Sequence, residues 1–215
     1  MKIQETIWAQ YAELGRNALD ARQLPLAEKM FSAAVEEAQR GKGDLFRLAE
    51  SYFGLAQTYH LRQQAVLAVS YYKKAMLIFE KDSLKFGTQL ANTWDNIAVI
   101  ALAQNDLPKA YTFLRKAVTM YEKIFGKESE VLSPRLLRLG YVYTQFKEFD
   151  KALACYDRAK ALSKGKVQVS AIGQSPIGST TLPSKTSKPV VASIRQVVPQ
   201  VVSASTGSTG ALVTR

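Results

Sequence analysis

The chain has 215 residues, of which 47% are hydrophobic and 10% aromatic, and its formal net charge at pH 7 is +11. Its single cysteine excludes an internal disulfide framework, and no run approaches the roughly 20 apolar residues that a membrane-spanning helix needs. The first ten residues, MKIQETIWAQ, contain no apolar core of a secretory signal. We therefore expect a cytoplasmic protein of one or two domains with a hydrophobic core.

The net charge is unevenly distributed along the sequence. Residues 164–215 contain six lysines and arginines and no acidic residue, so they contribute +6, and the first 163 residues contribute +5. Six charges over so long a segment do not form the dense basic cluster of a nucleic-acid-binding arm. The charge pattern therefore argues against a nucleic-acid partner. Only the net charge favours such a partner.

A short pattern of small and bulky residues occurs four times. It begins at Ala27, Ala68, Ala110 and Ala152, which lie 41, 42 and 42 positions apart. Four residues after each alanine comes a bulky side chain: Phe31, Tyr72, Leu114 or Tyr156. A further alanine follows three residues later. A fixed period of this length predicts a stack of similar supersecondary units.

Each of these segments is preceded by a second helical pattern. In chain order, it consists of Tyr11-Leu14-Gly15-Ala18, Tyr52-Leu55-Ala56-Tyr59, Trp94-Ile97-Ala98-Ala101 and Leu136-Leu139-Gly140-Tyr143. Spacings of three and four place each set on one helix face. Each unit is therefore predicted to be a helical hairpin of a helix A and a helix B, over about residues 5–41, 44–82, 88–124 and 129–163. The alanines are expected to set the distance between helices, and the bulky residues to fill the core.

Prolines, aspartates and glycines mark the predicted helix ends. Pro25 and Pro108 stand at the starts of helices B, where a missing N–H has no cost. Asp106 and Asp150 are suited to helix starts, and glycines at 41, 43, 87 and 126 lie between hairpins. Pro134 predicts a short or kinked start of the fourth helix A, with Ser133 as its cap.

The composition changes after Ser163. Residues 164–215 contain no aromatic residue, are rich in Ser, Thr, Val, Pro and Gly, and have prolines at 176, 183, 189 and 199. This segment is predicted to be an extended, largely unstructured C-terminal arm. Its valine-rich stretches could add strands to a partner's sheet edge. The alternative is a solubilising tail without a specific partner.

The sequence contains no recognisable catalytic or cofactor motif. His60 is the only histidine, so a site built from several histidines is excluded, and Cys155 lies between alanine and tyrosine within a predicted helix. The segment FGKES at 125–129 lacks the residues of a phosphate-binding loop. We therefore predict a non-enzymatic protein without a metal or cofactor.

The two helical patterns together resemble the tetratricopeptide repeat (TPR), over about residues 5–163. The repeat length near 42, the segment LANTWDNIA at 90–98 and the segment 117–140 are similar to the kinesin-light-chain subtype. The resemblance implies an all-α fold, a right-handed α-solenoid of four hairpins whose helices A line a concave groove. It also implies that the groove binds a peptide or a partner protein.

The resemblance further implies which positions of each helix A face the groove. In the four units these are Ala9, Ala12, Glu13, Arg16 and Leu19; Glu50, Phe53, Gly54, Gln57 and His60; Asn92, Asp95, Asn96, Val99 and Leu102; and Pro134, Leu137, Arg138, Tyr141 and Thr144. From these we select a candidate partner-binding set: Arg16, Phe53, Gln57, His60, Asn92, Asp95, Asn96, Arg138 and Tyr141. Asn92 and Asn96 are expected to pair with a partner's backbone. The residues with which some TPR proteins clamp a chaperone's terminal carboxylate are absent.

Three functions are compatible with these sequence features. The first is a scaffold or adaptor that binds a protein in the groove and uses the basic arm as a second contact. The second is a structural subunit of a larger complex, because no ninth helix is predicted to cover the apolar edge of the last hairpin. The arm, a second copy of the chain or a partner could cover that edge. The third, a nucleic-acid-binding regulator, has net charge as its only basis.

Overall fold

The computed structural model describes residues 2–40 and 44–163, which form eight α-helices and two short 3-10 helices. The α-helices are α1 (Lys2–Asp20), α2 (Leu24–Arg40), α3 (Leu45–Leu61), α4 (Ala65–Phe79), α5 (Gly87–Ala103), α6 (Leu107–Phe125), α7 (Ser133–Gln145) and α8 (Phe149–Leu162). The 3-10 helices are Glu80–Asp82 and Glu130–Leu132. No strand occurs in these residues, so the all-α prediction is confirmed for them. The predicted arm at 164–215 and the glycines at 41 and 43 lie outside the described residues.

The helices form four consecutive hairpins. Helices α1 and α2, α3 and α4, α5 and α6, and α7 and α8 pack against each other as pairs. Helices α2 and α3, α4 and α5, and α6 and α7 join each hairpin to the next one. This order of contacts is that of an α-solenoid, as predicted. The division of the chain into a repeat domain ending at Ser163 and a separate arm stays a prediction.

The repeated alanines and bulky residues form the core. Ala27, Ala68, Ala110 and Ala152 are at most 3% exposed, and Phe31, Tyr72, Leu114 and Tyr156 are at most 8% exposed. Tyr72 and Leu114 have no exposed surface at all. Their burial confirms that the bulky residues fill the core, and it places the four alanines in the core beside them.

Two helix-A glycines pack directly on the bulky residue of helix B. A Cβ atom on Gly140 would lie 2.7 Å from Cε1 of Tyr156, and one on Gly15 would lie 2.9 Å from Cε1 of Phe31. Such distances are below normal contact, so only glycine lets the ring approach the helix backbone this closely. The small residue and the aromatic ring are therefore complementary.

The turns inside the four hairpins share one conformation. Arg22, Gln63, Asn105 and Lys147 have φ between 57° and 62°, the left-handed region. The following N–H in each turn bonds to a carbonyl five residues back, as in Gln23 to Ala18 at 2.8 Å and Asp106 to Ala101 at 2.8 Å. This is the hydrogen bonding of a Schellman ending, where glycine is the commonest residue. None of the four is glycine, so sequence reasoning did not identify these turns.

The predicted helix boundaries have mixed outcomes. Asp106 caps α6, because its carboxylate accepts a hydrogen bond from the Lys109 N–H at 3.2 Å. Gly126, with φ of 83°, ends the same helix. Helix α7 begins at Ser133 and has only 13 residues, which confirms the predicted short start of the fourth helix A. The predicted Ser133 cap is wrong, because the Ser133 hydroxyl donates to the Ala159 carbonyl of α8 at 2.9 Å.

Candidate functional site

The nine candidate groove residues lie on helices α1, α3, α5 and α7. Arg16 is exposed, and Asp95 is only 7% exposed. The other seven are partly exposed: Phe53, Gln57, His60, Asn92, Asn96, Arg138 and Tyr141. We call these nine residues the inner surface. They share the helix-A positions from which a partner could be contacted.

Asp95 is the centre of a charged cluster that joins α5 to α7. Its carboxylate is 2.8 Å from Nη1 of Arg138 and 2.8 Å from Nε of Arg135. The side chains of both arginines are less than one-fifth exposed. Two cations therefore share one buried carboxylate, and the pairing fixes the third hairpin against the fourth.

Tyr121 extends this cluster from helix α6. The guanidinium of Arg135 lies 4.4 Å from the centre of the Tyr121 ring, and its Nη2 donates to the Tyr121 hydroxyl at 3.1 Å. Burial raises the pKa of Tyr121, while the positive charge of Arg135 opposes the shift. The hydroxyl in turn donates to Oδ1 of Asn92. The cluster thus connects three helices through charge-assisted hydrogen bonds.

Internal hydrogen bonds determine which atoms of Asn92 and Asn96 remain available. Asn92 uses Oδ1 to accept from Tyr121, and Asn96 uses Nδ2 to donate to the Asn92 backbone carbonyl at 2.9 Å. Within the described part of the chain, Nδ2 of Asn92 and Oδ1 of Asn96 have no hydrogen-bond partner. One donor and one acceptor are therefore presented one helical turn apart on α5.

The second hairpin contributes an apolar and weakly polar region. The Phe53 ring packs edge-on against Tyr72, with ring centres 5.5 Å apart. Burial lowers the pKa of His60, so its neutral form is favoured. Burial also raises the pKa of Glu50, and the nearby positive charge of Arg16 partly offsets that shift. At this end of the inner surface, burial therefore disfavours the charged forms of His60 and Glu50.

The structure brings only some of the candidates together. Asp95 and Arg138 are in contact, as are Asn92 and Asn96, whereas Arg16 interacts with Glu50 rather than with another candidate. Two further positions predicted to face the groove, Ala12 and Gly54, are buried. A Cβ on Gly54 would overlap the Phe31 ring, because position 54 packs on the preceding hairpin.

Sequence reasoning missed Arg135 and Tyr121, and it placed Tyr72 in the core without indicating that Asp95 acts on its hydroxyl. Arg135 and Arg138 are three residues apart, so they share a helix face, and this spacing was the available indication of a paired cation site. The Tyr72 hydroxyl is buried and has no hydrogen-bond partner among the described residues. Burial raises the Tyr72 pKa, and the negative charge of Asp95 adds to the shift. Apart from the Arg135–Arg138 spacing, no pattern in the sequence indicated that these groups lie near Asp95.

The comparisons with known proteins agree with this architecture. A family profile described as "Tetratricopeptide repeat" matches residues 89–164, which contain the third and fourth hairpins. The first two hairpins continue the same 42-residue period and the same order of helix contacts. Residues 89–164 are thus similar to the tetratricopeptide repeat family, and the described helices have a TPR-like arrangement.

Two solved structures with this fold show the similarity. Aspartyl phosphate phosphatase F from Bacillus subtilis aligns with a TM-score of 0.65 at 17% identity, over 73% of this chain and 40% of that protein. A kinesin light chain with nearly identical TPR-like repeats from Podosopora anserina aligns with a TM-score of 0.61 at 16% identity, over 75% of this chain and 77% of the other. The present chain thus spans less than half of the phosphatase. At these identities the similarity shows the fold alone.

None of the curated proteins matches this chain with significant similarity. Among the described residues, no helix is long and apolar enough to cross a membrane. In the same residues, no group of three His, Cys, Asp or Glu side chains is placed to hold a metal ion. Tetratricopeptide repeats are in general protein-interaction modules, and this chain accordingly has the fold of an interaction scaffold.

Proposed function

We propose that the chain is a non-enzymatic scaffold or adaptor whose inner surface binds an extended segment of a partner protein. The observation that supports this proposal is a pair of side-chain amide atoms on α5 that form no hydrogen bond with the described residues, Nδ2 of Asn92 and Oδ1 of Asn96. An extended peptide presents both C=O and N–H groups, so it can accept from the first and donate to the second. Such bonds would hold a backbone without selecting its side chains.

The neighbouring groups would supply affinity and orientation. Phe53 and Tyr141 are partly exposed aromatic residues, and such residues often contribute most of the energy of an interface. Arg138 uses only Nη1 on Asp95, so its other guanidinium N–H groups are available to a partner's carbonyl or carboxylate. The basic residues 164–215 would add a second, tethered contact.

A peptide selection with a paired variant tests the inner surface. Peptides selected from a displayed random library on the full chain would be retested on the double variant Asn92→Ala/Asn96→Ala. The matched control, Gln10→Ala/Asn17→Ala, removes two exposed amides of α1. We expect the first variant to weaken binding by about tenfold, because two hydrogen bonds of about 1 kcal/mol each are lost with some water compensation.

A substitution in the bound peptide separates backbone from side-chain recognition. Replacing the amide that faces Asn96 with an ester removes the peptide N–H and should weaken binding to the native chain. The same peptide should bind the Asn96→Ala variant no more weakly than the amide form does. If the selected peptides bound Asn92→Ala/Asn96→Ala as tightly as they bind the native chain and the control variant, the proposal would be contradicted.

A second function, assembly into a larger complex through the last hairpin, is favoured by one observation. Helix α8 leaves Phe149 59% exposed and Leu153 47% exposed, and these residues are one helical turn apart. An internal hairpin would cover this face with the next helix A. The occupant proposed for it is a second copy of the chain or a permanent partner subunit.

A further inference from the structure

Helices α4 and α6 carry an excess of positive charge on their exposed face. Helix α4 has Lys73 and Lys74 and no acidic residue, and the exposed cations at the corresponding positions of α6 are Arg115 and Lys116, followed by Lys123. The only acidic residue in either helix is Glu122, which pairs with Arg158 of α8. We call these five cations the outer basic surface: Lys73, Lys74, Arg115, Lys116 and Lys123.

None of the five cations is neutralised within the described part of the chain. Arg115 donates to the Tyr111 hydroxyl at 3.3 Å, and the four lysines form no ion pair with a described carboxylate. By contrast, the exposed cation Arg40 of α2 and Arg62 after α3 are both paired with glutamates. The charge on α4 and α6 is therefore available to a ligand.

The same local structure is built twice in this surface. Nζ of Lys74 lies 5.4 Å from the centre of the Tyr52 ring and 4.6 Å from that of Tyr71. The fold does not require this arrangement to recur, yet 42 positions later Nζ of Lys116 lies 5.5 Å from the Trp94 ring and 5.9 Å from the Phe113 ring. Each ammonium group is thus held on a pair of aromatic rings by cation–π attraction.

The end hairpins lack this arrangement. The positions equivalent to Lys74 are Ala33 in α2 and Arg158 in α8, and Arg158 is bound to Glu122 and to the Lys127 carbonyl. The outer faces of α2 and α8 also carry acidic residues, such as Glu36 and Asp157. Among the described residues, lysines held on a pair of aromatic rings therefore occur only in the two central hairpins, whereas Lys151 of the fourth hairpin lies over the single ring of Tyr143, 5.6 Å from its centre.

We propose that the outer basic surface binds an acidic polypeptide segment lying across α4 and α6, at a site separate from the inner surface. Carboxylate side chains would pair with the lysines, and the exposed apolar residues on α4, Val66 and Leu77, would contact the segment's apolar side chains. On α6 the positions equivalent to Val66 and Leu77 carry the exposed residues Pro108 and Thr119, and the Thr119 hydroxyl can donate a hydrogen bond. The site gives the scaffold a second face for a second partner.

Two features favour a polypeptide over a nucleic acid. Four of the five cations are lysines, whereas bidentate phosphate recognition favours arginine. The best aromatic platform, Trp94, is only 8% exposed and is occupied by Lys116, so no base can stack on it. The surface thus offers point charges beside apolar and hydroxyl groups, which fits an acidic, partly apolar peptide.

Charge reversal with a charge-matched control tests the proposal. The probe is a short fluorescent peptide of alternating glutamate and leucine, titrated by anisotropy onto the full chain. The variant Lys74→Glu/Lys116→Glu is compared with Lys29→Glu/Lys160→Glu, which makes the same change of net charge on exposed positions of α2 and α8. We expect about tenfold weaker binding for the first variant and less than about twofold for the second.

Further measurements distinguish the possible outcomes. Equal weakening by both variants would show attraction to net charge alone and would overturn the site. Tighter binding of single-stranded DNA or of anionic lipid vesicles than of the peptide, with the same dependence on Lys74 and Lys116, would overturn the assignment to a polypeptide. If charge reversal prevents folding, Lys74→Gln/Lys116→Gln should still weaken peptide binding, and its failure to do so would contradict the proposal. The variant Asn92→Ala/Asn96→Ala should bind the probe as tightly as the native chain does. The test of the outer basic surface is therefore independent of the proposal for the inner surface.

Discussion

At the scale of single residues, contact between a glycine and an aromatic ring determines how closely two helices approach. Gly140 lies over the ring of Tyr156, and Gly15 lies over that of Phe31. The Tyr156 ring is 8% exposed, and its hydroxyl is 3.3 Å from that of Thr144. The ring therefore has little freedom to move away from an added methyl group.

Replacing Gly140 with alanine should destabilise the chain by about 1–2 kcal/mol, because steric overlap outweighs the higher helix propensity of alanine. The matched control is Gly87→Ala, where the nearest atom is the flexible end of the Ile124 side chain at 3.1 Å. Urea unfolding midpoints of both variants would test this. A Gly140→Ala variant as stable as the native chain would show that the ring can shift.

His60 gives a prediction about pH. Burial lowers its pKa below the ordinary 6.5, so the folded state binds a proton less readily than the unfolded chain. The stability contribution of neutral His60 is therefore present above pH 6.5 and is lost as the pH falls toward the lowered folded pKa. Because the chain has one histidine, NMR titration of its imidazole protons would be unambiguous. A folded-state midpoint at or above 6.5 would contradict the prediction, and His60→Gln should remove this part of the pH dependence.

At the scale of helices, the turns within hairpins adopt a conformation that suits glycine but use other residues. Lys147 has φ of 62° in the turn between α7 and α8. Lys147→Gly should stabilise the chain by about 0.5–1 kcal/mol, because a side chain in the left-handed region is strained. Lys73→Gly, within α4, should instead destabilise the chain by about 1 kcal/mol. Chemical unfolding of both variants gives the comparison, and a loss of stability for Lys147→Gly would contradict the argument.

The contact between α5 and α7 depends on the shared carboxylate of Asp95. Asp95→Asn leaves Arg135 and Arg138 without a counterion in a largely buried site, and it should destabilise the chain by about 3 kcal/mol. Asp157→Asn removes an exposed carboxylate of α8 and should change stability by less than about 0.5 kcal/mol. Thermal unfolding would measure both effects. If Arg138→Met partly rescued Asp95→Asn, the unpaired charge would be identified as the cause.

At the scale of the whole molecule, the described solenoid ends on helix α8, which exposes two apolar side chains in its first half. Because Phe149 and Leu153 are about half buried, Phe149→Ser/Leu153→Ser should lower the free energy of unfolding by about 2–3 kcal/mol and leave the chain folded. If this face joins copies of the chain, the same variant should shift sedimentation toward the monomer. Leu26→Ser/Leu84→Ser, at two other exposed leucines, should not. Native sedimentation as a monomer at all concentrations would exclude the self-association form of the assembly function.

Much of the fold could be predicted from local sequence. The 42-residue period placed four hairpins, because each must bury the same alanine and aromatic face and therefore repeats the same spacing. The turns at Arg22, Gln63, Asn105 and Lys147 could not be predicted, since three of them lack the glycine or asparagine that usually marks a left-handed residue. Their conformation is imposed by the packing of the two helices they connect.

The sequence alone determined the repeat, the helix-A face and the candidate residues on it. Only the tertiary structure decided how those residues are used: Asp95 lies between Arg135 and Arg138, and Asn92 is oriented by Tyr121. It also placed Lys74 and Lys116 on equivalent pairs of aromatic rings. The physical reason is that helix periodicity fixes which residues share a face, whereas ion pairs, amide orientation and cation–π contacts depend on side chains from different helices meeting in space.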